Sequence, residues 1–232
     1  MKKLILFDID GTLLWTQGAA KRAFQRAMEE VYGTAGPIAT HSFAGKTDPQ
    51  IARELLRLGG FADRAIEDGL LRLWDAYLRE LRRELALPGH ATRVLPGVRP
   101  LLAELDRIRD SVVVGLLTGN IEPGAVLKLE SARLNGRFRL GAYGSDRERR
   151  DDLPEVAVER ALALTGWRFR ARDIVVIGDT PADMVCGASL DVHAFGVATG
   201  YFDEPSLRAA GAHTTAPDLG NTAEVLEVLL GA

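Results

Sequence analysis

Residues 4–12, Leu4-Ile5-Leu6-Phe7-Asp8-Ile9-Asp10-Gly11-Thr12, change from an apolar run to a polar loop. A short apolar run that ends in acidic residues and glycine is typical of a buried strand entering a loop. If strand geometry persists, Asp8 and Asp10 point to the same side, because successive side chains of a strand alternate. Two neighbouring carboxylates repel each other, which favours a cation between them. The stretch therefore predicts a buried strand with an acidic site at its end.

Two later apolar runs also end in polar residues. The strand predicted at 112–117 leads into Thr118-Gly119-Asn120, and the strand predicted at 174–177 leads into Gly178-Asp179-Thr180-Pro181-Ala182-Asp183. Parallel strands bring their carboxyl ends to one edge of a sheet, where open α/β sheets bind ligands. We therefore expect four carboxylates to meet there, those of Asp8, Asp10, Asp179 and Asp183.

The donor set at these strand ends predicts a magnesium site. Mg²⁺ prefers a few carboxylates, water and phosphate oxygens, and the three segments contain no histidine or cysteine that would favour zinc. Thr118, Gly119 and the backbone amides that begin the next helix are expected to bind an anion.

The remaining pattern predicts an α/β fold with a doubly wound parallel sheet and an inserted helical cap domain. Apolar strands that alternate with helices are typical of a sheet covered on both faces. We expect a core from residues 1–14 and 92–232, and a cap at 15–91 without a strand. Asp48 is expected to cap the second cap helix. The predicted helices are 17–32, 49–58, 66–85, 98–109, 122–134, 154–165, 182–190 and 222–230, and the further strands are 138–143 and 192–197.

Composition narrows the class of protein. The chain has 232 residues, a net charge of −3 and 47% hydrophobic residues, which fits a folded domain with an insert and argues against a nucleic-acid partner. Its single cysteine, Cys186, excludes an internal disulfide. Asp8 interrupts the apolar run after Lys2-Lys3, so no signal peptide is predicted. We expect a cytoplasmic protein with no membrane partner, and the oligomeric state stays open.

The three strand ends resemble motifs I, II and IV of the haloacid dehalogenase-like (HAD) hydrolases. The resemblance spans the chain, includes a helical cap after motif I, and is closest to the phosphoglycolate phosphatase and β-phosphoglucomutase-like group. It implies a phosphoric monoester hydrolase with a Rossmann-like core. Because Asp10 stands two residues after Asp8, the pattern favours phosphate esters over carbon–halogen or carbon–phosphorus bonds.

The resemblance also implies a role for each matched residue. Asp8 would attack phosphorus, and Asp10 would protonate the leaving oxygen and later activate water. Mg²⁺ would be held by Asp8, the backbone carbonyl of Asp10, and Asp179, with Asp183 ordering that site. Substrate contacts are expected from Thr118, which would bind a phosphoryl oxygen, and from Gly11, Thr12, Gly119 and Asn120.

The chain departs from the family at motif III, where a lysine usually precedes a proline-started helix. The segment 146–154 contains no lysine, and we expect Arg150 to replace it, with Arg149 as the alternative in register. Lys128 is a weaker candidate, because it should lie about two turns along the helix after motif II. In the cap, Lys46 is expected to contact the distal part of the substrate.

Together these features predict a Mg²⁺-dependent phosphatase that acts on a small phosphorylated metabolite through an aspartyl-phosphate. Two alternatives stay open at this point. A phosphosugar mutase would use the same aspartates but return the phosphoryl group to its product. A non-catalytic phosphate-binding module would not require the acid Asp10.

Overall fold

The computed structural model of the chain describes residues 2–231. Over that range the strands are β1 (Lys3–Phe7), β2 (Leu14–Trp15), β3 (Arg93–Val94), β4 (Val112–Thr118), β5 (Gly141–Tyr143), β6 (Ile174–Gly178), β7 (His193–Val197) and β8 (Thr214–Ala216). The helices are α1 (Ala19–Tyr32), α2 (Asp48–Leu58), α3 (Asp63–Leu85), α4 (Val98–Arg107), α5 (Glu122–Ser131), α6 (Leu153–Thr165), α7 (Pro181–Val185), α8 (Glu204–Ala209) and α9 (Thr222–Gly231).

Six of the strands form one parallel sheet in the order β5-β4-β1-β6-β7-β8. The predicted α/β class with a parallel sheet is confirmed. β1 lies in the middle, between β4 and β6, so the chain segments that follow these three strands start side by side at one edge of the sheet. This strand order is what brings the three sequence motifs together.

Side-chain alternation along the strands explains why both faces of the sheet are covered. In β1, Ile5 and Phe7 pack into a cluster with residues of α4, α5 and α9, whereas Leu4 and Leu6 pack into a second cluster with residues of α6. All four side chains are fully buried. A strand that is apolar on both faces is the expected consequence of a sheet between two helical layers.

Helices α1, α2 and α3 share a separate apolar cluster built around Phe24, Leu55, Leu73 and Tyr77. A two-residue antiparallel ribbon, β2 with β3, lies where the chain leaves the sheet and where it returns. The boundaries of the cap at 15–91 stay a prediction. Its expected lack of strands was wrong at Trp15, because a ribbon of two residues is too short to produce a pattern in the sequence.

Several predicted bounds were wrong for identifiable reasons. The helix after motif II ends at Ser131 rather than 134, and Arg133 there adopts a left-handed backbone. The predicted helix 182–190 is divided at Gly187, whose Cα lies so close to Val192 that a Cβ would overlap it. The strand near 138 begins at Gly141, and α8 and β8 were not predicted. β8 is a half-buried edge strand without an apolar run.

The start of α2 also differs from the prediction. Thr47, not Asp48, is the N-cap, and its hydroxyl accepts a hydrogen bond from the backbone N–H of Gln50. Asp48 is instead the first residue of the helix, and its carboxylate reaches away to the backbone N–H of Ile121 at 2.9 Å. The buried N–H of Ile121, at the start of α5, needs an acceptor. The Asp48 carboxylate, which the local sequence predicted to cap α2, is that acceptor.

No helix within residues 2–231 combines the length and the apolar composition needed to cross a lipid bilayer.

Candidate active site

Three carboxylates meet at the carboxyl end of the central strands. Asp8 follows β1, Asp179 follows β6, and Asp183 lies in α7, and one oxygen of each lies within 4.8 Å of the others. All three side chains are buried. Hard oxygen donors at this spacing fit a divalent cation such as Mg²⁺.

The pKa values of this cluster report the cost of placing charges together. Burial raises the pKa of Asp8 to about 6, Arg150 opposes the shift, and Asp183 and Asp10 add to it. Burial also raises the pKa of Asp179 well above its ordinary value, and repulsion by Asp183 and Asp8 contributes. The site therefore needs additional positive charge to hold these groups ionised near neutral pH.

Arg150 supplies part of that charge. One guanidinium nitrogen lies 3.2 Å from Asp8 Oδ1, and the same nitrogen donates a hydrogen bond to Asp183. Burial lowers the pKa of Arg150, but Asp183 and Asp8 outweigh it and hold that pKa above its ordinary value. Arg149 instead lies at the surface beside Asp151. Of the two candidates, the structure places Arg150 in the acidic cluster.

The Asp183 carboxylate is held by Thr180 as well as by Arg150. It accepts hydrogen bonds from the backbone N–H and the hydroxyl of Thr180, the latter at 2.6 Å. These contacts form a capping box that begins α7, with Pro181 at the first helical turn. The sequence after β6 thus fixes an acidic side chain next to Arg150 through local hydrogen bonding.

Asp179 is enclosed by small residues. Thr12 donates to its Oδ1 at 3.1 Å. A Cβ at Gly11 or at Gly200 would overlap the Asp179 carboxylate, and Gly11 also has a left-handed φ of 83°. Glycine is therefore required at position 11 both by the turn and by the close approach. The expected substrate contacts of Gly11 and Thr12 stay predictions, since in this structure both residues contact Asp179.

Asp10 has different hydrogen-bond and ion-pair partners from Asp8, and β1 ends at Phe7 before both residues. Its Oδ2 accepts hydrogen bonds from Lys128 Nζ at 2.6 Å and from Asn120 Nδ2 at 2.9 Å. The group of carboxylates within 4.8 Å of one another does not include Asp10, although Asp10 lines the same cavity as Asp8 and adds to the rise in the pKa of Asp8. The expectation that Asp8 and Asp10 point to one side stays a prediction. The expected use of the Asp10 backbone carbonyl as a metal ligand stays a prediction.

The loop after β4 contributes a second polar group. Thr118 Oγ1 accepts a hydrogen bond from Asn120 Nδ2 at 2.8 Å. Two of the amides that we expected to bind an anion are already engaged, because the N–H of Ile121 donates to Asp48 and that of Glu122 to Ser145. Any anion bound here must therefore rely on other groups of the loop. Roles for Thr118 and Gly119 in binding a substrate stay predictions.

The segment before α2 closes over this loop. The N–H of Asp48 donates to the carbonyl of Gly119 at 2.7 Å, and a Cβ at Gly119 would overlap the carbonyl of Lys46. Burial raises the pKa of the Asp48 carboxyl to about 6, opposed by Lys128 and by the hydrogen bond from Ile121. Residues distant in sequence are thus in backbone contact beside the site.

A cavity of about 390 Å³ lies between the strand ends and the helices of the inserted segment. Lys46 lies on its wall, but its Nζ is 2.5 Å from Glu54 and 3.3 Å from His41. Lys21 is a second lysine on this wall, and its Nζ lies 5.1 Å from the centre of the Phe43 ring. The lining includes Asp8, Asp10, Trp15, Phe24, Phe43, Tyr77, Thr118, Asn120, Lys128, Arg150, Asp179 and Tyr201.

A sequence model of the haloacid dehalogenase-like hydrolase family matches residues 5–197, which include all three strand-end motifs. The chain belongs to this family. No curated protein matches this haloacid dehalogenase-like hydrolase.

Solved structures match the haloacid dehalogenase-like hydrolase over nearly its whole length. A hydrolase from Pseudomonas syringae is 21% identical, with 98% of each chain covered and a TM-score of 0.73. A predicted phosphatase from Clostridium acetobutylicum is 16% identical over 98% of this chain and 99% of that one, with a TM-score of 0.74. A Thermotoga maritima protein provisionally assigned as a β-phosphoglucomutase is 19% identical over 97% and 98%, with a TM-score of 0.61. At these identities the similarity establishes a shared fold.

The sequence interpretation did not foresee the contacts of Lys128 and Asp48. Lys128 is six residues into α5, yet its side chain reaches back to Asn120, because side chains of a helix tilt toward its N-terminus. One signal was present, since a lysine there interrupts a face that is otherwise small or apolar. For Asp48 we find no comparable signal in the sequence.

Proposed function

We propose that this haloacid dehalogenase-like hydrolase is a Mg²⁺-dependent phosphatase that cleaves a small phosphorylated metabolite through an aspartyl-phosphate. The observation that carries the proposal is the buried group of Asp8, Asp179 and Asp183 with Arg150 beside it, at the base of a cavity. A phosphate-binding surface alone would favour cations rather than three carboxylates.

Each residue of the site has a part in the proposed reaction. Asp8 and Asp179 would hold Mg²⁺, with Asp183 beside them, and the ion would neutralise charge on the phosphoryl group and on the carboxylates. An oxygen of Asp8 attacks phosphorus as the ester P–O bond breaks, and Asp10 gives a proton to the departing oxygen. Asp10 then takes a proton from the water that hydrolyses the aspartyl-phosphate.

In the proposed reaction, Arg150 stabilises negative charge during phosphoryl transfer, and the cavity selects the substrate. The guanidinium beside Asp8 is suited to stabilise negative charge that develops during transfer, because the site is buried and the donor is already in place. The organic part of the substrate would lie in the cavity against the inserted helices, with Lys46 and Lys21 on its wall. Which metabolite fits is a question for a substrate panel.

A phosphosugar mutase is the second candidate, supported by the shared fold with the Thermotoga maritima protein. To separate the candidates, the purified protein with Mg²⁺ is incubated with a panel of phosphate esters. Free phosphate supports the phosphatase, and an isomerised ester supports the mutase. Neither product across a broad panel would favour a binding module that does not turn over its ligand.

The nucleophile is tested with Asp8→Asn. A neutral amide is a poor nucleophile, so turnover of the best ester in the panel should fall below a few per cent of wild type. A variant that retains more than this, while melting like the wild type, would remove Asp8 from the covalent role.

A further inference from the structure

Lys128 is a buried cation that the proposed reaction does not yet use. Its side chain is only 4% exposed, and it lies on the buried face of α5 with Gly124, Ala125 and Leu129. Removing an ammonium group from water is costly unless its partners compensate. A leucine or methionine would cover the same face without that cost, so the fold alone does not explain a lysine here.

The partners of Lys128 form a closed set of hydrogen bonds. Its Nζ donates to Asp10 Oδ2 at 2.6 Å and to Asn120 Oδ1 at 2.5 Å. Asn120 in turn donates from Nδ2 to Asp10 Oδ2 at 2.9 Å and to Thr118 Oγ1 at 2.8 Å. The orientation of the Asn120 amide is fixed because its Oδ1 accepts from Lys128 and its Nδ2 donates to Asp10 and Thr118.

This arrangement orients one carboxylate. Both donors bind Oδ2 of Asp10, so Oδ1 is the oxygen that neither of them binds, and Asp10 lines the cavity. The Asp10 side chain is 34% exposed, whereas that of Asp8 is 9% exposed. Lys128 and Asn120 therefore bind Asp10 through contacts that the group of Asp8, Asp179 and Asp183 does not share.

We propose that Lys128 is a positioning residue that, together with Asn120, directs Asp10 Oδ1 toward the oxygen of the departing group. The inference rests on the proposed phosphatase function. When the P–O bond of the ester breaks and the bond from Asp8 to phosphorus forms, the proton on Oδ1 passes to the departing oxygen. Lys128 itself does not touch the reacting atoms, and it acts by fixing the direction of that transfer.

Two esters of similar size distinguish proton donation from the other steps. Benzyl phosphate releases a poorly acidic alcohol that must be protonated, whereas p-nitrophenyl phosphate releases a stable phenolate that need not be. The quantity compared is kcat/KM, because it covers only the steps up to departure of the alcohol or phenolate and leaves out the later hydrolysis of the aspartyl-phosphate, which both esters share. In Lys128→Met, kcat/KM for benzyl phosphate should fall about a hundred- to a thousandfold, the range of a general acid. For p-nitrophenyl phosphate, kcat/KM should fall less than about tenfold on the same grounds.

Arg99→Met is the matched control. Arg99 is also a cation that contacts α5, but it donates a hydrogen bond to the carbonyl of Ala132, just after the C-terminal end of that helix. In Arg99→Met, the ratio of kcat/KM values for the two esters should equal that of wild type. Equal losses of kcat/KM on both esters in Lys128→Met, or no loss on either, would overturn the positioning role. If folded wild type releases phosphate from neither ester, the proposed function and this inference fall together, whereas the other outcomes leave the phosphatase intact.

Discussion

At the scale of single residues, positions 149 and 150 illustrate how neighbouring arginines acquire different environments. Arg150 begins the short 3₁₀ turn before α6 and is buried against Asp8 and Asp183, while the Arg149 side chain is 76% exposed. A shift of one residue along the chain therefore separates an arginine in the site from an arginine in solvent. Substitutions of Arg150 and Arg149 form a matched pair of variants.

We expect Arg150→Met to lower kcat by about 10²–10³, because a donor already in place beside the developing charge is lost. Arg149→Met should leave kcat within about threefold, since an exposed ion pair contributes little. Steady-state kinetics on the best ester, with thermal melts to verify folding, measure both. A larger loss in Arg149→Met would mean that the arginine assignment is off by one residue.

Asp48 gives a prediction for stability against pH. Its folded pKa of about 6 lies above the ordinary 3.8, so the folded state favours the protonated form. That stabilisation is complete below about pH 4 and is lost as pH rises through 6. Asp48→Asn keeps an acceptor for Ile121 but carries no charge, so it avoids this loss.

The free energy of unfolding of Asp48→Asn, relative to wild type, should therefore increase between pH 4 and pH 7 by up to about 2–3 kcal/mol. Denaturant titrations at several pH values measure the difference, in which the other titrating groups cancel. A difference that is the same at pH 4 and pH 7 would contradict the assignment of a raised pKa to this carboxyl.

At the scale of elements, the loop between β4 and α5 is packed against the segment that begins α2. Gly119 accepts the backbone hydrogen bond of Asp48 and has no room for a Cβ beside the carbonyl of Lys46. Gly124, in the first turn of α5, has room for one, because the atom nearest to an added Cβ, Ile121 Cγ1, would lie 3.4 Å away. Gly119, in the loop, and Gly124, in the helix that follows it, therefore differ in how closely they are packed.

Gly119→Ala should lower the free energy of unfolding by about 1–3 kcal/mol, because backbone atoms must move to admit the methyl group. Gly124→Ala should raise it by up to about 1 kcal/mol through helix propensity. Urea unfolding of the two variants gives both values. Equal free energies of unfolding for the two variants would contradict the close packing assigned to Gly119.

At the scale of the whole molecule, the acidic group joins segments that are far apart in sequence. Asp8, Asp179 and Asp183 come from β1 and from the β6–α7 segment, and their repulsion opposes the folded state. A ligand that binds only when these segments are together stabilises the fold. The metal proposal therefore predicts a change in stability independent of turnover.

Saturating Mg²⁺ should raise the melting temperature of wild type, corresponding to about 2.7 kcal/mol at a hundredfold excess over Kd. EDTA should reverse the change, and Asp179→Asn should lose it. Scanning calorimetry at constant ionic strength measures the shift. An equal shift in Asp179→Asn would place the ion elsewhere.

The α/β class, the central strands and the acidic motifs could be read from the sequence because they depend on short-range patterns. The apolar runs at 4–7, 112–117 and 174–177 are buried on both faces, and hydrophobic periodicity records that burial directly. The proline-started helix after residue 153 likewise limited the choice of arginine to a few positions.

The contacts of Asp10, Asp48 and Lys128 followed only from the packed chain. The alternation expected for Asp10 ends with β1 at Phe7, and its partner Lys128 is 118 residues away. Asp48 leaves its own helix to meet Ile121, a choice set by how closely the segment before α2 packs on the β4–α5 loop. Such pairings depend on long-range geometry and on the need of buried polar groups for a partner, and neither leaves a periodic signal in the sequence.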